Sequence, residues 1–166
     1  MIKLRILYEQ LLKEVGDLEN INPYPYSNNS FTTEQGWKVN VYFQKYDDED
    51  LQALNINTKF YPSPVYNVVF DVEGEESQFS KTTLEEYYKI IKTVAEICTD
   101  FIKENNPKGL TFLAANKDRN ILFKTDPQKS KFYKVIVLKH LTKIQGWGLV
   151  NLSPFDGFEG FMIYKK

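Results

Sequence analysis

Apolar residues recur every three or four positions between Thr82 and Asn106. They are Leu84, Tyr87, Tyr88, Ile91, Val94, Ala95, Cys98, Phe101 and Ile102. This spacing predicts one helix face held for about six turns. Both ends are marked. Thr82 with Glu85 and Thr83 with Glu86 form two overlapping capping boxes at the start. Asn106-Pro107 stops the helix, because proline lacks a donor and disfavours helix in the residue before it. A second row, Ile90, Val94, Ile97 and Phe101, widens the stripe. A stripe this wide predicts cover on more than one side, from a sheet or from a sheet and another helix.

The remaining elements follow from the same patterns. Leu4, Leu7, Tyr8, Leu11, Leu12 and Val15 form a short amphipathic helix closed by Gly16. Residues 20–30, with Asn22-Pro23, Pro25 and Ser27-Asn28-Asn29-Ser30, break the pattern. Tyr24 and Tyr26 alternate with the prolines there, which predicts an extended linker. Glu34-Gln35-Gly36 turns a hairpin into Trp37, Val39, Val41 and Phe43, which alternate with Lys38, Asn40, Tyr42 and Gln44. The acid run 47–50 favours the positive end of a short helix carrying Leu51, Ala53 and Leu54. It lacks the glycine and glutamate spacing of a calcium loop. Tyr61-Pro62-Ser63-Pro64 leads into a strand with Tyr66, Val68, Phe70 and Val72 on one face. Gly74 lies in its turn, and residues 77–81 run back as a short strand. The run Leu110-Thr111-Phe112-Leu113-Ala114-Ala115 predicts a central strand covered on both faces. Asp126-Pro127 opens a second helix, with Tyr133, Ile136, Val137, His140, Leu141 and Ile144 on one stripe and Gly146-Trp147-Gly148 at its end. Residues 149–164 close the chain as a hairpin. The order predicts an α+β fold: a mostly antiparallel sheet with two main helices packed on it, plus the N-terminal amphipathic helix. Domain boundaries are expected as a helical arm over 1–22 and one α+β domain over 23–166.

Composition narrows the partners more than the fold. Of 166 residues, 42% are hydrophobic and 26% charged, the balance of a globular chain that builds a core. A net charge of -1 supplies no global field for nucleic acid or an anionic membrane. The single cysteine, Cys98, lies on the apolar stripe, which predicts a buried thiol and no internal disulfide. No segment approaches the roughly 20 apolar residues that span a bilayer, and the start has no signal-peptide run. The expectation is a protein that is neither secreted nor a membrane partner.

Two resemblances can be named from particular residues. A strand ending in Ala114-Ala115-Asn116, then Phe132-Tyr133 in a helix, then Gly146-Trp147 and a closing strand resembles the core of the GCN5-related N-acetyltransferase family. The succession of strand, strand, long helix, strand, second helix and two strands is similar too. The resemblance covers about a third of the chain, from Leu110 to Tyr164, and implies a GNAT-like layout. It implies Tyr133 as a general acid toward the coenzyme thiolate, with Asn116 beside it in the motif. It departs at the cofactor loop. That family holds the coenzyme A diphosphate on glycines opening the long helix, whereas Phe79-Ser80-Lys81-Thr82-Thr83 has none. β-branched side chains there crowd a diphosphate, and threonine oxygens take its donors. No cofactor is therefore expected.

The whole chain also resembles small uncharacterised proteins of tailed bacteriophages. Residues 4–15, the Trp37 strand, residues 66–72, Lys92-Thr93-Val94, residues 110–116 and residues 130–133 carry this likeness. It implies a virion or accessory protein, in a virion or a host cytoplasm.

Candidate sites follow from these readings. Leu4, Leu7, Tyr8, Leu11, Leu12 and Val15, with Phe155 and Phe158 beside a turn, are candidates for contact with other proteins, phage structural proteins or a second copy. Lys117, Arg119, Lys124, Lys129, Lys131 and Lys134, interleaved with Phe123, Phe132 and Tyr133, are candidates for a single nucleic-acid strand, diluted by Asp118 and Asp126. His140, the only histidine, has no nucleophile placed beside it by sequence, and one His with one Cys falls short of a zinc site. The leading expectation is a non-enzymatic protein-binding or structural module. A diverged N-acyltransferase and a single-strand binder are the alternatives.

Overall fold

A computed structural model of the chain describes residues 21–57, 59–73, 84–115, 146–155 and 158–166. These form one seven-stranded sheet with two helices. In chain order the elements are β1 (Tyr26–Ser27), β2 (Ser30–Thr32), β3 (Lys38–Lys45), α1 (Asp48–Ala53), β4 (Val65–Glu73), α2 (Leu84–Asn105), β5 (Gly109–Ala115), β6 (Trp147–Phe155) and β7 (Phe158–Lys165). The strands lie in the order β1-β2-β3-β4-β5-β7-β6. All neighbours are antiparallel except β4 and β5, which run parallel because α2 carries the chain back between them. The α+β class and the mostly antiparallel sheet stand as the sequence predicts.

The turns take the residues their geometry demands. Asn28 and Asn29, at φ of 53° and 59°, make the two-residue connection from β1 to β2. Both central residues of such a hairpin need positive φ, and asparagine tolerates it. Gly36, at φ of 83°, serves the β2–β3 turn in the same way. Asp47 caps α1 with a full capping box to Asp50, so the acid run serves the helix start. Asn106 ends α2 in a left-handed conformation at φ of 47°, its N–H donating to the Ile102 carbonyl, and Pro107 follows.

The core forms on both faces of the sheet. On one face α2 lays Ile90, Ile91, Val94, Ile97, Cys98 and Ile102 against Val39, Val41, Val68, Leu110, Phe112, Phe161 and Ile163. Phe43 and Tyr66 meet Phe101 there, Phe43 stacked at 3.8 Å between centroids and Tyr66 edge-on at 5.0 Å. On the other face Leu51 of α1 joins Ile56, Val65 and Met162 in a smaller cluster, with Tyr46, Leu54, Tyr61 and Tyr164 packed around it. The two clusters follow strand alternation: Tyr66 and Val68 face α2, and Val65 faces α1.

Three expectations are corrected. Residues 21–30 do not hang free as a linker. Tyr24 is buried, its N–H donates to Thr93 Oγ1 at 2.9 Å, and Lys92 Nζ donates to the Ile21 carbonyl at 2.6 Å. The Tyr26 hydroxyl donates to Asp100 on the same helix. This extended segment lies along the Lys92, Thr93 and Asp100 side of α2, while Phe101 of the second row meets Phe43 and Tyr66 of the sheet. The reason is that proline-alternated backbone has few internal hydrogen bonds and must find them on a neighbour. Second, β6 begins at Trp147, earlier than the strand expected from Leu149, and Trp147 pairs with Lys165 in the ladder. Third, Asn40, expected on the solvated face of β3, is buried, accepting from Ser30 Oγ at 2.6 Å and donating to Glu73 at 3.2 Å.

The N-terminal helix and arm over 1–22 lie outside the described residues up to position 20. So do the capping threonines Thr82 and Thr83, the short strand over 77–81 and the second main helix.

Candidate functional site

The ladder between β4 and β5 ends before either strand does. β4 has nine residues and β5 seven. They pair only at Val65 with Gly109, Tyr66 with Leu110 and Asn67 with Thr111. Beyond that point β4 continues to Glu73 and β5 to Ala115, with no ladder between them. On their outer sides both strands stay paired to the end, β4 with β3 and β5 with β7. Among the described residues, the sheet therefore opens between the carboxyl ends of its one parallel pair. Backbone N–H and C=O groups of alternate residues on each strand turn toward that opening.

A small polar network sits where the ladder ends. Thr111 is fully buried, and its hydroxyl donates to Asn67 Oδ1 at 3.0 Å. Tyr46 Oη lies 3.0 Å from the same Thr111 oxygen. A hydroxyl has one proton, so with Thr111 donating to Asn67 the Tyr46 hydroxyl is the donor to Thr111. Burial, with the Asp50 charge adding to it, pushes the Tyr46 hydroxyl up to about 12. Tyr46 thus keeps its proton at neutral pH. On the α2 face, Val68 and Phe112 belong to the main core, and Phe112 stacks on Phe161 at 5.0 Å. The opening has a polar root on one face and an apolar wall on the other.

A second cluster lies at the start of α2. Lys89 Nζ bonds Glu34 at 3.1 Å and sits 4.4 Å from the centre of the Tyr24 ring. Gln35 donates to Glu86 at 2.8 Å. These contacts tie the β2–β3 turn to the helix. Burial comes first, with the Glu34 charge second, in raising the Tyr24 hydroxyl above its ordinary range.

Cys98 is fully buried and burial alone pushes its thiol far up, so it is a core residue and not a nucleophile. Trp37 is buried, and Trp147 packs against the main core. Among the described residues no three His, Cys, Asp or Glu side chains group as metal ligands, and no helix is long and apolar enough to cross a membrane. Phe155 and Phe158 face each other in the ladder at the end of the β6–β7 hairpin. Asn116, Lys117, Arg119, Lys124, Lys129, Lys131, Tyr133, Lys134 and His140 lie outside the described residues, as do Leu4, Leu7, Tyr8, Leu11, Leu12 and Val15. The sequence patterns did not single out Tyr46, Asn67 or Thr111. The one available signal was a threonine inside an otherwise apolar strand.

No family model, curated protein or solved structure matches this chain.

Proposed function

We propose that the chain binds an acyl donor of the coenzyme A type between the parted ends of β4 and β5, as an N-acyltransferase of GNAT-like layout. The observation that carries the reading is the ladder that ends after Asn67 and Thr111 while both strands run on. In open sheets with parallel strands, ligands lodge beyond the carboxyl ends, where neighbouring connections diverge. Unpaired strand edges inside a sheet require hydrogen-bond partners. An extended chain bearing amides, such as the pantetheine arm of coenzyme A, offers both donors and acceptors at strand-like spacing. The succession β3, β4, α2, β5, β6, β7 supports the same reading, since it follows the resemblance drawn from the sequence.

The loop over 79–83 limits how such a donor is held. Without glycine it offers the diphosphate little backbone, so recognition falls on the arm and not on the nucleotide. Calorimetric titration distinguishes these parts. Acetyl-coenzyme A and S-acetylpantetheine are expected to bind with affinities within about tenfold of each other, a difference of roughly 1.4 kcal/mol or less. No heat from either at millimolar concentration would end the reading. Tyr133 and Asn116 are the residues that the resemblance offers for proton transfer.

A second reading, the non-enzymatic protein-binding module, has its own observation. Phe60, in the loop after α1, is 74% exposed, and Tyr42 on β3 is 49% exposed. Exposed aromatics favour contact with another protein where they form one patch. A Phe60→Ser variant that loses a partner in cross-linking, while still binding acetyl-coenzyme A, would separate the two.

A further inference from the structure

A cavity of about 10 Å³ lies inside the cluster at the start of α2, its lining made by Tyr24, Thr33, Glu34 and Glu86 with the buried Trp37 and Ile90. Tyr24 is the unusual member. The residue is only 5% exposed, and its hydroxyl is buried without a hydrogen-bond partner. Among the described residues no other buried side-chain nitrogen or oxygen stands so. A buried hydroxyl rarely goes unpaired, because it gives up water and gains nothing in exchange. The ring itself is held in place: Phe31 stacks on it at 5.6 Å, and Lys89 Nζ lies 4.4 Å from its centre. The Glu34 N–H approaches the hydroxyl oxygen but does not reach hydrogen-bond geometry.

The other lining groups supply complementary chemistry. Thr33 closes the β2–β3 turn: its Oγ1 accepts from the Trp37 N–H at 3.2 Å, and its carbonyl accepts from the Gly36 N–H at 3.0 Å. A hydroxyl that accepts still has its own proton to give. Glu34 and Glu86 bring acceptors, and the charges of both act on the Tyr24 hydroxyl. Lys89 bonds one oxygen of Glu34, and Gln35 donates to one of Glu86. A carboxylate has about four acceptor positions, so these contacts do not exhaust either group. A second cation has little reason to settle here, since Lys89 already stands against Glu34 and would repel it.

We infer that this cavity is the binding site of one ordered water, which accepts from the Tyr24 and Thr33 hydroxyls and donates to the Glu34 and Glu86 carboxylates. The volume is that of a single water, and two donors with two acceptors match the bonds a buried water makes. The water joins three segments that are distant in sequence: the extended segment at Tyr24, the turn at Thr33 and Glu34, and the first turns of α2 at Glu86. It fastens the turn to the helix from within, beneath the contacts of Lys89 with Glu34 and of Gln35 with Glu86.

A high-resolution crystal structure of the full chain tests this directly. It should show a water within about 3.2 Å of Tyr24 Oη and of a carboxylate oxygen of Glu34 or Glu86. Tyr24→Phe keeps the ring and removes the hydroxyl. It should lose the water, and the Gly36 and Trp37 amides, which Thr33 holds, should exchange about five- to tenfold faster. A Tyr24 hydroxyl bonded directly to a protein group, one with no water beside it, or a cation at that place overturns the inference. So does a folded Tyr24→Phe whose Gly36 and Trp37 amides exchange no faster, the result expected of a hydroxyl simply left unpaired. If that variant does not fold, the crystal structure of the unaltered chain decides.

Discussion

Thr111 joins two strands through one proton. Its hydroxyl holds Asn67 on β4 and accepts from Tyr46, at the point where the β4–β5 ladder ends. Thr111→Val keeps the shape and removes both bonds. It should cost about 1–3 kcal/mol by urea denaturation, because Tyr46 and Asn67 each lose a partner. Tyr46 also predicts a pH dependence. Its folded-state value of about 12 lies above the ordinary tyrosine value of 10.0, so its contribution to stability is complete below pH 10. It falls away as pH rises through about 12, because the unfolded chain ionises first. Tyr24 and Tyr26 are raised too, by burial first, with Glu34 next for Tyr24 and the Asp100 hydrogen bond next for Tyr26, and they act in the same direction. Thermal melts should therefore lose stability above pH 10, and less so in Tyr46→Phe. Cys98 should resist thiol reagents in the folded chain and react only on unfolding. Cys98 was legible in the sequence because its neighbours on the helix stripe share its fate. The Tyr46–Thr111–Asn67 network was not, since Thr111 and Asn67 are 44 positions apart and meet only through the register of two strands.

At the scale of elements, α2 behaves as its periodicity predicts. Ile91 is fully buried in the main core, so Ile91→Ala should cost about 2–5 kcal/mol. Asp47→Ala removes only the cap of α1 and should cost about 1 kcal/mol. Equilibrium denaturation of the two variants checks the ranking. The two described helices, the stop of α2 at Asn106-Pro107 and the central position of β5 were legible because each depends on spacing within one stretch. The placement of residues 21–30 was not. A proline-alternated segment shows that it is extended, and nothing in its own pattern says that Thr93, Lys92 and Asp100 will hold it. The start of β6 at Trp147 was not legible for a similar reason. Gly146, at φ of 86°, reads equally as the end of a helix or the entry to a strand.

For the whole molecule, the sheet joins an antiparallel meander to a hairpin through one parallel pair that opens. The fold class follows from the order of the elements. The opening does not, because it depends on where two strands on either side of a helix stop pairing. Read by sequence, the missing glycines in the loop over 79–83 spoke against a cofactor and favoured a binding module. Read with the parted strands, they speak against a nucleotide clamp and leave room for the donor's arm. The most direct measurement is amide exchange across residues 68–73 of β4, with and without millimolar acetyl-coenzyme A. Alternate amides along that stretch should slow when the donor is added, while those of β3 stay unchanged. Unaltered exchange throughout β4 at that concentration would contradict a ligand lodged between β4 and β5.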